Sequence, residues 1–585
     1  MNFISHPFSI PITRYGLALS TAAALSTSVQ AAPPTTAAKP IPNKPARVVM
    51  PKPTATKPAA SKPLPPKPLP SKPLPSKPLP SKPLPSKPVT SKPSLPKAPP
   101  VKVAPVKAVA EAIQSDGKWA PAPLFARASL SLKTLPNGVR GIVRETRGTG
   151  LVCVQVWVRA GSRFESEAAS GASHVVETLA LRASKNYPRG VTDIGGGAAD
   201  AIENMGGAVG SLTSRDSTFY SATVDARFLA QALAALSDAT LRPHLTNTAV
   251  EEGKLEVETA LQRRETDPLL AVVDLSYRAT FARHPYRKPA GGTSLGISNL
   301  TPERVRQFHK QLYVGRNISV VVVGDVQAKG AHALLSKYFS AAAKASVSAP
   351  AIPSEKSPSA YKTIERKRPI NRTAVALSFR APGVKSVSDV IAMDVLLAHW
   401  REGRGAVLRR VLLGPDKTAE ADGAAPEAAS PALALGFDVD YLTQRDPSLF
   451  IISLVVEPED RAAAIDATLS EITKIQNQGI SESALARAKR VLSQQYIGQG
   501  ETVSGQAGAL GFYDMIDSYQ FAVTYLDRIA RITAADIKRV ATIYLSRTAY
   551  TQAVIAPAPR ERAPDTGGGG TITASLALPQ SVTRH

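Results

Sequence analysis

Proline recurs every two or three residues in the first part of this chain, and that spacing limits where the chain can fold. The sequence between Pro33 and Lys107 is rich in proline and lysine, and the unit Ser-Lys-Pro-Leu-Pro repeats from Ser71 to Pro85. Each proline removes a backbone donor and fixes φ, so neither a helix nor a sheet can form. Extended polyproline II is the remaining favourable conformation, and repulsion between lysines stiffens it. We therefore predict a disordered Lys/Pro-rich linker over residues 32–117.

The positive charge of the chain is concentrated in the same region. The formal net charge is +25, and no Asp or Glu precedes Glu111. Arg14, Arg47 and 14 lysines supply sixteen of the 25 surplus charges, so the rest of the chain carries an ordinary charge. This distribution argues against a folded nucleic-acid site, and we expect no nucleic-acid partner. The tail is interpreted either as a cationic tether to an anionic envelope surface or as a solvated linker without specific affinity.

The N-terminus has the layout of a cleaved secretory signal. Arg14 precedes an apolar stretch that runs from Tyr15 to Leu25, and a small-residue site, Val29-Gln-Ala31, follows it. The apolar stretch is too short and too rich in Ser and Thr for a permanent membrane span. An uncleaved interfacial anchor is the alternative. Residues 1–31 are predicted to be a signal peptide, and we expect a periplasmic or otherwise exported protein.

The remaining sequence shows the same ending twice. Thr301 and Thr533 each precede an amphipathic helical pattern that leads into an apolar strand. A chain of 585 residues is too long for one core. We therefore predict two homologous domains. Their predicted bounds are 118–345 and 358–558, with a hinge linker at 346–357 and a flexible tail at 559–585.

Strand and hairpin patterns precede and separate the helical patterns of the first domain. They favour an α+β fold in which each domain is an α/β sandwich, with helices on one face of a mainly antiparallel sheet. The single cysteine, Cys153, lies in an apolar run at 150–157 and can form no internal disulfide. We predict that Cys153 is a buried strand residue.

One predicted helix carries residue types that bind zinc and activate water. A strand and a glycine-containing loop lead into His174-Val175-Val176-Glu177-Thr178. The segment from Val158 to Arg182 resembles the opening of the insulinase/pitrilysin-type (M16) zinc peptidases, the inverzincins, which carry H-x-x-E-H on this helix. In that motif two His grip one zinc, and the Glu acts as general base on the metal-bound water.

The resemblance implies a role for each position of the motif. His174 corresponds to the first zinc ligand and Glu177 to the general base, but Thr178 replaces the second His, and threonine is a poor zinc ligand. The third ligand of the family is a Glu, and alignment on the stretch that ends in Asp-Pro268 puts Ala260 at its position. We therefore predict a degenerate site, with His174 and Glu177 as vestiges and no zinc cofactor.

Further segments resemble the family in the same order, among them 204–220 and His284-Pro-Tyr286. In the family two domains face each other as a clamp around a chamber, peptides bind as an added strand at a sheet edge, and some members pair with a relative that lacks zinc. The resemblance implies a non-catalytic subunit that binds a peptide or unfolded polypeptide and forms a heterodimer with an active homologue.

Two alternatives remain open. One is an active zinc metalloendopeptidase that uses non-standard ligands such as Glu256 or Glu258, in which case zinc is the cofactor. The other is a stand-alone envelope binding protein for which the Lys/Pro tail is the anchor.

Overall fold

The computed structural model describes residues 129–559, apart from 191–195, 346, 348–351, 354, 356, 404–405 and 415–430. The predicted signal peptide, the Lys/Pro-rich linker, much of the predicted hinge and the predicted C-terminal tail beyond residue 559 lie outside the described residues. In the described part, no helix combines the length and the apolar character that a membrane span requires.

The first half of the described chain forms a six-stranded sheet and the helices around it. The strands are arranged in the order β1-β2-β6-β3-β5-β4, in which β2 and β6 are parallel and all other neighbours are antiparallel. In chain order the elements are β1 (Leu130–Thr134), β2 (Arg140–Glu145), β3 (Leu151–Val158), α1 (Ala172–Ala180), α2 (Gly197–Glu203), β4 (Ala208–Thr213), β5 (Thr218–Asp225), α3 (Leu229–Leu241), α4 (Asn247–Thr266), α5 (Pro268–Thr280), α6 (Ser294–Ser298), α7 (Pro302–Leu312), β6 (Ile318–Gly324) and α8 (Ala328–Phe339).

The second half forms a five-stranded sheet in the order β7-β11-β8-β10-β9, in which only β7 and β11 are parallel. Its elements are β7 (Lys362–Arg368), β8 (Thr373–Arg380), α9 (Val387–Arg401), α10 (Val407–Leu413), β9 (Gly436–Tyr441), β10 (Leu449–Val456), α11 (Arg461–Gln478), α12 (Glu482–Gln499), α13 (Val503–Ile516), α14 (Gln520–Arg531), α15 (Ala534–Tyr544) and β11 (Thr551–Pro557).

The two sheets match strand for strand. The order β2-β6-β3-β5-β4 has the same pattern of directions as β7-β11-β8-β10-β9, with the single parallel pair at the same place. The helices that precede β6 and β11 also begin alike. The Thr301 hydroxyl accepts a hydrogen bond from the Arg304 amide, and the Thr533 hydroxyl accepts one from the Asp536 amide. The predicted α+β fold with two related, mainly antiparallel sheets is confirmed.

Side chains of the central strand β3 are buried on both faces of the first sheet. Val152, Val154 and Val156 pack with the helices of their own half, whereas Cys153 and Trp157 belong to a core shared with the second half. This alternation follows from the two-residue period of a strand. The prediction for Cys153 is confirmed, because the residue is fully buried and burial raises the pKa of its thiol.

Each half covers one face of the other half's sheet with a helix. Helix α13 of the second half packs on β3 and β6, and helix α5 of the first half packs on β8 and β11. At the first contact α13 approaches so closely that a Cβ on Gly511 would collide with the indole of Trp157. The halves were expected to face each other as a clamp around a chamber. In the described residues they are joined by this exchange, because each sheet needs the other half's helix to bury its second face.

Replacing Gly511 with Ala tests this contact. We expect Gly511→Ala to lower the free energy of unfolding by about 1–3 kcal/mol, because the added methyl group overpacks the Trp157 contact. The matched control is Gly498→Ala on α12, where a Cβ meets no atom of the described residues within 4 Å. That change should leave stability unchanged or raise it by up to about 1 kcal/mol, since Ala is the better helix former. Urea titration gives both values, and equal effects would contradict the close packing.

A buried carboxyl predicts a pH dependence of stability. Asp394 on α9 is 2% exposed and accepts a hydrogen bond of 2.7 Å from the Tyr525 hydroxyl. Burial raises the pKa of Asp394 to about 7, whereas the pKa of an Asp in an unfolded chain is about 4. The folded state therefore binds more protons between these values, and the free energy of unfolding should fall as pH rises from about 4 to about 7.

Asp394→Asn should remove this decline, which we expect to amount to a few kcal/mol, because Asn accepts the Tyr525 bond without titrating. Urea unfolding at several pH values measures it, with exposed Asp466→Asn as the control that keeps the slope. The interpretation fails if Asp394→Asn and the natural chain show the same slope.

Candidate functional site

The start of helix α1 is held in place by a buried carboxylate. Glu165 accepts hydrogen bonds from the backbone amides of Gly171 and Ser173 at 2.8 and 2.9 Å, and from the Ser173 hydroxyl. Burial raises the pKa of the Glu165 carboxyl. Gly171 has a φ of +91°, and a Cβ there would collide with Ile297. These contacts determine where α1 begins and therefore which way its side chains face.

His174 and Glu177 lie side by side on α1, as their spacing predicts. Nε2 of His174 is 3.6 Å from Oε2 of Glu177. Nδ1 of His174 is buried and has no hydrogen-bond partner among the described residues. The other oxygen of Glu177 accepts a 2.5 Å hydrogen bond from the Ser211 hydroxyl on β4. One oxygen of the Glu177 carboxylate is therefore hydrogen-bonded to strand β4, and the other faces the His174 imidazole.

Helix α4 packs against α1, and it carries the position predicted for the third ligand. Val257 and Leu261 of α4 are buried, and at Gly253 a Cβ would come within 3.0 Å of the Leu179 side chain. A Cβ at Gly291 would lie 3.0 Å from both His174 Nδ1 and a methyl of Leu261, so the 291 loop touches both helices. Ala260 itself is exposed and presents only a methyl group.

The two acids considered as replacement ligands have other placements. Glu256 forms an ion pair with Arg182, and one turn earlier on α4 Glu252 pairs with Arg189 at 2.7 Å. Glu258 is half-buried and lies about 100° round the helix from Val257, which packs toward α1. The Glu256 carboxylate is therefore paired with a cation, and neither acid forms a possible metal-binding cluster with His174 and Glu177 in the described part of the chain.

The residues present do not fit a zinc ion. The structure places no cluster of three His, Cys, Asp or Glu side chains that could hold a metal ion anywhere in the part of the chain that it describes. A stable zinc site needs three protein ligands at least. Here the family positions offer one imidazole, the hydroxyl of half-buried Thr178 and the methyl of Ala260.

Strand β4 brings in a residue that the sequence reasoning missed. Ser211 lies in the 204–220 segment that resembles the family, but its contact with Glu177 depends on the sheet order. Strand β4 is one of the two edge strands of the first sheet and pairs only with β5 among the described strands. The outer backbone groups of β4, beside α1, therefore have no backbone hydrogen-bond partner among the described residues.

Two buried tyrosines lie near Glu177. Burial and the negative charge of Glu177 raise the pKa of Tyr313, whose hydroxyl is 3.0 Å from that of Tyr220.

Comparison with known proteins identifies the class to which this fold and this motif belong. The family model "Insulinase (Peptidase family M16)" matches residues 142–294, and "Peptidase M16 inactive domain" matches residues 299–492. The chain belongs to the M16 insulinase family of peptidases and their homologues, and the resemblance in the sequence is confirmed.

Two relatives each match at least 70% of this chain. Zinc protease PqqE of Helicobacter pylori is 24% identical over 430 residues, which is 72% of this chain and 92% of the relative. The probable mitochondrial-processing peptidase subunit beta of Arabidopsis thaliana is 24% identical over 426 residues, 70% of this chain and 75% of the relative.

Two solved structures have the same fold. A protease from Helicobacter pylori matches with a TM-score of 0.64 at 22% identity, covering 73% of this chain and 99% of that chain. A peptidase M16 inactive domain from Pseudomonas fluorescens matches with a TM-score of 0.62 at 18% identity, covering 73% and 98%. At these identities the structural matches establish the fold alone.

Proposed function

We propose that this chain is a non-catalytic member of the M16 family that binds peptides and helps to form a chamber beside an active homologue. The observation that carries the proposal is the composition of the α1 site. Glu177 corresponds to the general base of the family, and the chemistry of that base needs a metal-bound water. Thr178 and Ala260 supply no ligand of the family type, and the Glu256 carboxylate is paired with Arg182. Hydrolysis at this site therefore has no basis in the residues present.

The open edge of β4 supports peptide binding. An edge strand offers a row of unpaired N–H and C=O groups, and an extended peptide can add to it as a further strand. The Ser211–Glu177 hydrogen bond ties this edge to α1. Such binding needs backbone geometry and no metal, so it can persist where the zinc ligands are lost.

The exchange of helices between the halves supports a second subunit. Because α5 and α13 cover the sheets of their opposite halves, side chains of both halves pack together in shared cores there. A chamber large enough for a peptide is then formed most simply between two such chains. Relatives in mouse and rat are named mitochondrial-processing peptidase subunit beta, so homologues that act as subunits exist. We place this assembly in the periplasm, on the N-terminal signal pattern.

Zinc retention tests the non-catalytic proposal. We expect the full chain, produced without a polyhistidine tag, to retain well below one zinc per molecule after exposure to excess zinc and desalting. The double variant Thr178→His/Ala260→Glu should retain close to one zinc, because it restores the three ligands that a stable site needs. Adding His174→Ala to that double variant should abolish retention, which controls for zinc bound elsewhere.

Near-stoichiometric zinc in the natural chain, lost on His174→Ala, would instead support an active metalloendopeptidase with ligands such as Glu256 or Glu258. Failure of the double variant to hold zinc would contradict the assignment of Ala260 to the third position.

Hydrogen exchange tests the proposed peptide edge. We expect a short peptide of alternating Val and Thr to slow amide exchange in β4 at Ala208–Thr213, because strand addition pairs the outer amides. Strand β9 at Gly436–Tyr441 is the corresponding edge of the second sheet and serves as the internal control. Protection of β9 without β4, or of neither strand, would contradict binding at this edge. If the folded part of the chain binds no peptide, the alternative of a stand-alone envelope protein that works through its Lys/Pro tail is favoured.

A further inference from the structure

A cavity of about 280 Å³ lies where helices α4 and α5 of the first half meet strands β7 and β11 of the second half. The loop at 287–293 forms another part of its wall, and this space is called the arginine cavity below. Its volume lies just under the usual range for small-molecule sites. It is therefore suited to one chain end or one side chain rather than to a whole peptide.

Cationic side chains dominate the wall of the arginine cavity. Six cationic side chains face three carboxylates, which leaves an excess of three positive charges. The cations are Arg264, Arg278, Arg287, Lys288, Arg366 and Arg368, and the carboxylates are Glu167, Glu265 and Asp274.

Half of these cations have partners within the protein. Arg264 forms a two-point pair with Asp274, at 2.5 and 3.0 Å. Arg368 lies 3.9 Å from Glu265 and also donates to its carbonyl oxygen. The ammonium group of Lys288 donates to the backbone carbonyl of Glu165. These three cations are held as part of the wall.

The guanidinium groups of the other three cations make no hydrogen bond or ion pair within the part of the chain that the structure describes; these cations are Arg278, Arg287 and Arg366. They come from α5, from the loop and from β7, so they converge from both halves. A guanidinium presents a planar fork of donors that matches a carboxylate, and it binds one more strongly than a neutral group. Free guanidinium groups around one cavity therefore favour an anionic ligand.

Apolar side chains limit which anion fits. Leu261, Leu275 and Ile555 line the cavity beside the arginines, and Leu295, which is 72% exposed, lies in the wall as well. A free phosphate would leave this apolar surface unused, whereas a carboxylate that carries an aliphatic group would cover it. Leu261 also lies beside His174 across the 291 loop, so the cavity adjoins the α1 site.

We propose that the arginine cavity binds the C-terminal carboxylate of a peptide whose last side chain is aliphatic. The inference rests on the proposed peptide binding and names the ligand class that the site selects. Arg278, Arg287 and Arg366 hold the carboxylate, and Leu261, Leu275 and Leu295 contact the side chain. Neither the zinc ligand positions nor Glu177 takes part.

Calorimetric titration of the full chain with N-acetyl-leucine tests the proposal, because this molecule reproduces the proposed peptide end. Binding in the millimolar range is expected. The amide of the same compound should bind at least about tenfold more weakly, since it lacks the charge. Arg278→Gln and Arg287→Gln should each weaken binding of the acid by about tenfold. The matched control is Arg263→Gln on α4, an exposed arginine outside the cavity wall, and it should bind as the natural chain does.

Equal binding of acid and amide, no binding of the acid, or equal loss in Arg263→Gln would overturn the inference. Inorganic phosphate is the third titrant, and displacement of N-acetyl-leucine by phosphate at lower concentration would assign the cavity to a free anion instead. The results of this titration can be distinguished from those of the hydrogen-exchange experiment on β4. Arginine-dependent binding of N-acetyl-leucine without protection of β4 would keep this site and reject strand addition. Protection of β4 by peptides whose free-acid and amide forms bind equally would do the reverse.

Discussion

Helix α5 of the first half packs on the second sheet, and helix α13 of the second half packs on the first sheet. The rest of the structure depends on these two contacts. A central strand such as β3 is apolar on both faces, and leaving either face in water would forfeit the burial that stabilises the sheet. Each half covers only one face with its own helices, so each needs a helix from the other. The two halves are consequently joined at the level of their cores, and the sites that they share are built on a common framework.

The shape of the α1 site depends on contacts that involve no metal. The beginning of α1 is held by Glu165, and its packing on α4 uses Val257, Leu261 and the absence of a side chain at Gly253. Ion pairs from Arg182 and Arg189 to α4 add to this contact. None of these interactions involves Thr178 or Ala260, so the packing of α1 on α4 does not depend on which side chains stand at these two positions.

Much of the fold was predictable from the sequence, because its signals are local. Thr301 and Thr533 mark helix starts through contacts three residues away, and the apolar runs around Cys153 and after Tyr313 are strands. The order of the sheets and the exchange of helices were not predictable in this way. Trp157 meets Gly511 across more than three hundred residues, and neither residue carries a pattern that names its partner. The Ser211–Glu177 bond depends on the same long-range order.

The arginine cavity shows why site residues of this kind escape a motif-based reading. Arg278, Arg287 and Arg366 stand on a helix, a loop and a strand from both halves, and each is an ordinary charged residue in its own segment. Two of the three carboxylates in the cavity wall already face other arginines, since Asp274 pairs with Arg264 and Glu265 with Arg368. That feature exists only once α5 has packed on the second sheet. The packing that closes the core is therefore also the step that creates a concentrated, unpaired positive charge beside α1.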